Sequence, residues 1–337
     1  MRTGVFLFFF LFFTCTIDAL SHRSRSLEFY YDVLLKGIPS DAREVQVWIP
    51  VLPGNDHQVI EEFSVESAQS YRITEDKIYR NKILNVSLKP PWEDSTFTLS
   101  VHYRLTRFEY ANGPGQAASP SAREHRREDL VKFLKANHWA TLSPRVQKMA
   151  TEITKDKKTT IEKARAIYDY VFQNVSYDKT IPGWGRGDTE RVCAIRAGNC
   201  TDFHSLFISF SRASGIPAKF VIGVPFERGV TQGETSQYHC WAEFYDEQLG
   251  WIPVDISEAW KDTSKYEYYF GTIGEDRLEL SQGRDIILEP PQAGEPLNYF
   301  VYPYVEVDGR EFKKVGILFR FRDVIDQVVS NNKKDIL

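Results

Sequence analysis

Gly198-Asn199-Cys200-Thr201-Asp202-Phe203-His204 opens the stretch that decides how this chain is read. Beyond it, Phe203, Leu206, Phe207, Phe210 and Ala213 recur at helical spacing, and Gly215 stops the run. Cys200 is therefore expected at a helix N-terminus, where unpaired N–H groups and the macrodipole favour an anion. A thiol held there is drawn toward the thiolate, its reactive form. Its own N–H is also placed to donate to an oxyanion developing on a carbonyl.

A thiolate nucleophile needs an imidazole partner, and the imidazole needs an orienting group. Downstream, residues 238–245 and 251–254 read as two strands joined through Asp246-Glu247-Gln248-Leu249-Gly250. If Tyr245 pairs with Trp251, Asp255 faces Trp241 and His239 lies one diagonal step away on the same face, about 7–8 Å off. A slip of one position would part them. Cys240 is expected to point the other way, toward the core of the sheet. The candidate catalytic residues are thus Cys200, His239 and Asp255. His204 follows Cys200 on the same helical face and reads as a core histidine with local partners.

Working outward, residues 27–110 alternate with period two, as in Phe29, Tyr31, Val33 and Leu35, or Phe97, Leu99, Val101, Tyr103 and Leu105. Gly37-Ile38-Pro39 and Pro53-Gly54-Asn55-Asp56 punctuate them, which predicts a small β-sandwich domain. His57 and His102 stand alone there and read as solvated. Residues 111–129 form an exposed linker. A catalytic domain over 130–322 follows. Its first helix is capped by Ser143 before Pro144, and its second by Thr160. Residues 218–224 are a strand, and residues 305–307 and 312–319 flank Asp308-Gly309-Arg310 as a hairpin. Residues 323–337 are a tail. The fold class is α+β, with a β-rich front.

The chain has 337 residues, 26% charged, and a formal net charge of −4, so no basic surface points to nucleic acid. Arg2 and the apolar run 5–13, with Ala19-Leu20-Ser21 after it, read as a secretory signal peptide over residues 1–21. The run is too short to span a bilayer. The mature protein is thus expected to be secreted or periplasmic, without a membrane segment. Cys193, Cys200 and Cys240 remain in it, an odd number in an oxidising compartment. Cys193 and Cys240 either bridge or stay buried and reduced. Structural zinc sites prefer closely spaced pairs, and Cys193, Cys200, His204, His239 and Cys240 lack that spacing, so no metal or other cofactor is expected. Asn85, Asn174 and Asn199 each begin a glycosylation signature. A glycan on Asn199 would obstruct Cys200, which favours a bacterial envelope over a eukaryotic secretory route.

The residues quoted around Cys200 resemble the transglutaminase-like superfamily. The match runs through Val175-Ser176-Tyr177, Gly198-Asn199-Cys200-Thr201-Asp202, Ala213-Ser214-Gly215-Ile216-Pro217-Ala218, Gly223, His239-Cys240-Trp241-Ala242-Glu243, Gly250-Trp251 and Val254-Asp255. It covers roughly residues 160–260, in family order and spacing. Tyr269-Phe270-Gly271, Gly283-Arg284-Asp285 and Tyr302-Pro303-Tyr304 look like secreted bacterial members. The resemblance implies a papain-like core, a helix-borne cysteine packed on an antiparallel sheet, with Cys200, His239 and Asp255 as a triad. It implies acyl transfer on amide bonds of a protein or peptide through a thioester. Nothing resembles the calcium sites or extra domains of the large animal enzymes, so hydrolysis is expected before crosslinking. A silent member that only binds protein is the rival. His204 departs from the family, standing where many members carry a small residue.

Overall fold

A computed structural model describes residues 23–67, 69–90, 96–115 and 127–324. The expected leader over 1–21, the middle of the expected linker and the tail from 325 lie outside the described residues.

The front of the chain supplies β1 (Ser24–Lys36), β2 (Val45–Val51), β3 (Gln58–Glu66), β4 (Tyr71–Glu75), β5 (Lys82–Leu88) and β6 (Thr96–Phe108). Alternation works as expected on β1, where Leu27, Phe29, Tyr31, Val33 and Leu35 are buried and the residues between them are not. The central region adds β7 (Ala218–Pro225), β8 (Gln232–Thr235), β9 (His239–Asp246), β10 (Gly250–Val254) and β11 (Arg277–Gln282). β12 (Tyr304–Val307), β13 (Arg310–Glu311) and β14 (Val315–Asp323) close the chain.

These strands form two five-stranded sheets, in orders β8-β14-β1-β6-β3 and β13-β12-β2-β5-β4, and a four-stranded sheet β10-β9-β7-β11. The two larger sheets share one apolar cluster through Phe29, Tyr31, Val47, Ile49, Val86 and Val101. The C-terminal strands, expected with the catalytic part, pair instead with the front: β14 with β1 and β12 with β2. The expected strand 312–319 is also two pieces. β13 ends at Glu311 after a turn with positive φ at Asp308 and Gly309, and β14 starts at Val315. Alternation shows which face is buried but not which strand lies alongside.

The helices are α1 (Pro144–Ile153), α2 (Thr160–Asn174), α3 (Thr189–Ile195), α4 (Cys200–Ala213) and α5 (Ile256–Lys261). Ser143 caps α1 by accepting the Val146 N–H. The cap of α2 is Thr159 rather than Thr160, because Thr159 completes a capping box with Glu162. Helix α4 is buried on all sides from Cys200 to Arg212. It lies between α1, α2 and α3 and the sheet strands β7 and β9. A helix enclosed in this way brings its first residue to a fixed point beside the sheet. Among the described residues, no helix is long and apolar enough to cross a membrane.

Candidate active site

Helix α4 starts on a tightly specified cap. The Asn199 side chain accepts the Thr201 N–H at 2.9 Å, and the Asp202 carboxylate accepts the Asn199 N–H at 2.9 Å. Asp202 also accepts the N–H groups of Gly185 at 2.7 Å and Gly187 at 3.1 Å. It thereby ties the loop 183–187 to the helix start. That loop turns through left-handed φ at Gly183, Gly185 and Gly187. Buried Arg284 holds its far side, donating to Ser205 Oγ and to the Arg186 carbonyl, each at 2.6 Å.

Asn199 itself is 2% exposed, and its amide donates to the Tyr238 hydroxyl at 3.0 Å. The expected glycan acceptor is therefore not presented in the folded chain. Asn85 is likewise buried, donating to the Val47 carbonyl at 3.1 Å.

His239 and Asp255 meet at one end of the hairpin. Tyr245 pairs with Trp251, the expected register, and the ladder ends at Ala242 opposite Val254. Contrary to the expected register, Asp255 does not continue opposite Trp241; it leaves the strand and caps α5. One carboxylate oxygen accepts the Glu258 N–H at 3.1 Å and the Ser257 hydroxyl at 3.0 Å. The other lies 2.6 Å from His239 Nε2. With Nε2 engaged, Nδ1 is the ring nitrogen left for a further partner, and Cys200 is among the groups that raise the imidazole.

Electrostatics follow from this packing. Burial opposes charge on His239, yet the Asp255 carboxylate outweighs it and raises the imidazole to about 9. Burial likewise pushes Asp255 up, but the His239 cation beside it holds it well below the usual carboxylate range. The Cys200 thiol is lowered well below its ordinary value, first by a hydrogen bond from Cys240, then, against burial, by His239. Both shifts favour the charged pair, thiolate and imidazolium, over the neutral one.

Cys240 corrects an expectation. It does point into the core, but that core is the layer packed under α4, so it faces Cys200 rather than turning from it. Its sulfur lies 3.6 Å from His204 Nδ1 and 3.8 Å from Thr201 Oγ1. His239, the first residue of β9, lies beyond the last β10 partner and opposite Gly223 of β7. His204 is buried with local partners, its Nε2 accepting the Ile256 N–H at 3.1 Å. Cys193, Cys200 and Cys240 are all free thiols, so the Cys193–Cys240 bridge is not found. Among the described residues, no group of three or more His, Cys, Asp and Glu is arranged to hold a metal ion.

The rim is aromatic and cationic. Tyr177 borders Cys200, and its ring lies under Lys261 Nζ at 4.2 Å and beside Lys179 Nζ at 5.8 Å. Trp184 and Trp260 are exposed by 40% and 37%. Sequence reasoning missed Asp202 and Cys240 as parts of the site and gave Arg284 no role. The spacing Asn199-x-x-Asp202 is a capping-box signal; nothing local marks Arg284.

Comparison with known proteins gives this site a frame. Residues 147–256 match the model of the transglutaminase-like superfamily core. An uncharacterized protein of Haemophilus influenzae is 25% identical over 300 residues, covering 79% of this chain and 81% of that protein. The uncharacterized protein YebA of Bacillus subtilis is 26% identical over 143 residues, 37% of this chain and 19% of that protein. A solved structure from Cytophaga hutchinsonii, of a protein proposed to be a cysteine protease, superposes with a TM-score of 0.60 at 16% identity, over 90% of this chain and 92% of that chain. The chain thus carries a transglutaminase-like core over residues 147–256, set within an α+β fold that a sheet-rich region precedes.

Proposed function

We propose that the protein is a cysteine enzyme that transfers the acyl group of an amide bond in a protein or peptide, and that water is its usual acceptor. The observation that carries this reading is the 2.6 Å contact between His239 Nε2 and Asp255, beside a thiol held at the start of a buried helix. In it, the Cys200 thiolate attacks the substrate carbonyl carbon and the C=O electron pair moves onto oxygen. The Cys200 N–H and the α4 N-terminus stabilise that oxyanion. The Tyr177 hydroxyl, raised to about 12 by burial and by Cys200, retains its proton and can donate as well. As the tetrahedral centre collapses, His239 Nδ1–H protonates the departing amine, leaving a thioester on Cys200. Neutral His239 then takes a proton from water, which attacks the thioester and releases the acid. Asp255 keeps the imidazole oriented throughout. On the pattern of residues 1–21 we place this activity in the periplasm or outside the cell.

The test is mass-spectrometric profiling of a peptide library with wild type and Cys200→Ala, with and without a primary amine acceptor. Cleavage that needs Cys200 is the expected result; amine-tagged products in place of acids would assign crosslinking instead. Iodoacetamide labelling decides the rival binding role. If Cys200 reacts no faster than free cysteine at neutral pH, in wild type and in His239→Ala alike, the enzymatic reading fails.

A further inference from the structure

His204 takes no part in the steps above, yet its buried ring joins the three elements that carry Cys200, His239 and Asp255. It stands one turn after Cys200 on α4, at the spacing that keeps two residues on one face. Its Nε2 accepts the N–H of Ile256, the residue after Asp255, at 3.1 Å. Its Nδ1 lies 3.6 Å from the sulfur of Cys240, the residue after His239. A nitrogen that accepts carries no proton in a neutral ring, so the proton sits on Nδ1 and is given to the Cys240 sulfur. Burial keeps the ring neutral, with Asp255 opposing it only in part.

Ile256 opens α5, and a first-turn N–H has no partner inside its own helix. Ile256 is buried, so the N–H needs an acceptor within the protein. The next acceptor in reach is the Asp255 carboxylate. Its Oδ1 lies 3.5 Å from His204 Nε2 and already serves the Ser257 hydroxyl and the Glu258 N–H. Without the ring, the turn would close on that carboxylate and draw it from His239, which it meets at 2.6 Å. We propose that His204 is a positioning residue: its neutral ring ties the turn after Asp255, and the strand that begins at His239, to the helix that presents Cys200. This deepens the cysteine-enzyme reading above and rests on it.

The experiment follows Cys200-dependent peptide cleavage and an NMR titration of the His239 ring in wild type, His204→Leu, His204→Asn and His204→Gln, each with a thermal melt. Leu fills the space without a polar atom. Asn brings its amide near the place of Nδ1, short of Ile256, whereas Gln extends to the place of Nε2 and offers an uncharged acceptor there. Leu and Asn should lower kcat at least about 10-fold with KM little changed, the cost of a triad displaced by a fraction of an ångström. They should also bring the His239 titration down from about 9 by about one unit, because the carboxylate that raises it has moved. Gln should stay within about threefold of wild type and keep His239 near 9. A purely structural role would lower the melting temperatures and leave kcat and the His239 titration of the folded protein in place. That result overturns the proposal, as does a Gln variant no better than Asn, a comparison that stands even where Leu fails to fold. The titration needs no substrate, which separates the two levels. Normal wild-type cleavage with His239 unmoved in Leu and Asn removes the role of His204 alone. A wild type that cleaves no peptide, with His239 lowered in Asn and restored in Gln, removes the enzymatic reading and keeps the tie.

Discussion

Replacing Asp255 by Asn tests the electrostatic core of the site while sparing its architecture. Asn is as good a helix cap as Asp, so α5 keeps its first turn. What disappears is the negative charge 2.6 Å from His239 Nε2. The rise of His239 from 6.5 to about 9 corresponds to about 3 kcal/mol in favour of the imidazolium. Burial acts in the opposite sense and Cys200 still raises the ring, so without the carboxylate it should titrate well below 9. At pH 7.5 the imidazolium, nearly complete in the wild type, would be depleted, and the thiolate would lose counter-charge with it. The direct assay is an NMR titration of the His239 ring in wild type and Asp255→Asn. Linkage adds a second readout. A folded-state value raised above the unfolded one contributes stability that is full below about pH 6.5 and is lost as pH rises through about 9. The lowered Cys200 thiol contributes stability that grows as the pH rises through the same window, so this readout is taken in a Cys200→Ala background, where urea unfolding should weaken across it and addition of Asp255→Asn should remove the slope. An Asn variant whose His239 still titrates near 9 would refute the assignment of Asp255 as the source of the charge.

Two further outcomes follow from the packing. Asp202→Ala leaves the buried N–H groups of Gly185, Gly187 and Asn199 without their acceptor. It should cost at least about 3 kcal/mol in urea unfolding, and limited proteolysis should then cut within 183–187. Gly223→Ala would place a Cβ 1.7 Å from the Leu278 carbonyl oxygen, at the bulge between β7 and β11. Insoluble expression or a loss of more than about 3 kcal/mol is expected, and a variant of near-native melting temperature would contradict it.

Much of the site could be read from the chain alone because its signals are local. A run of apolar residues at helical spacing ending at Gly215 places Cys200 at a helix start, and the five residues 246–250 fix the Tyr245–Trp251 register. What escaped depends on ends and on distant partners. The alternation rule puts neighbours on opposite faces inside a strand, yet His239 and Cys240, paired with Gly223 and Ile222 of β7, both bear on Cys200. Asp255 leaves the ladder because the chain turns there into a helix that it caps itself. The pairing of β14 with β1 joins residues that nothing in either segment designates as partners.

That pairing reaches the chemistry by a short route. β14 also holds β8, whose last residue, Thr235, lies just upstream of His239, and the Tyr302 hydroxyl fastens the Ser236 carbonyl between them at 2.9 Å. The imidazole thus hangs on a tether anchored by β14. Trimming the protein back to Lys314 would remove, among the described residues, none that bears on Cys200, yet it would untie the approach to His239. Damage at the carboxyl end would therefore surface as a lesion at the reactive sulfur.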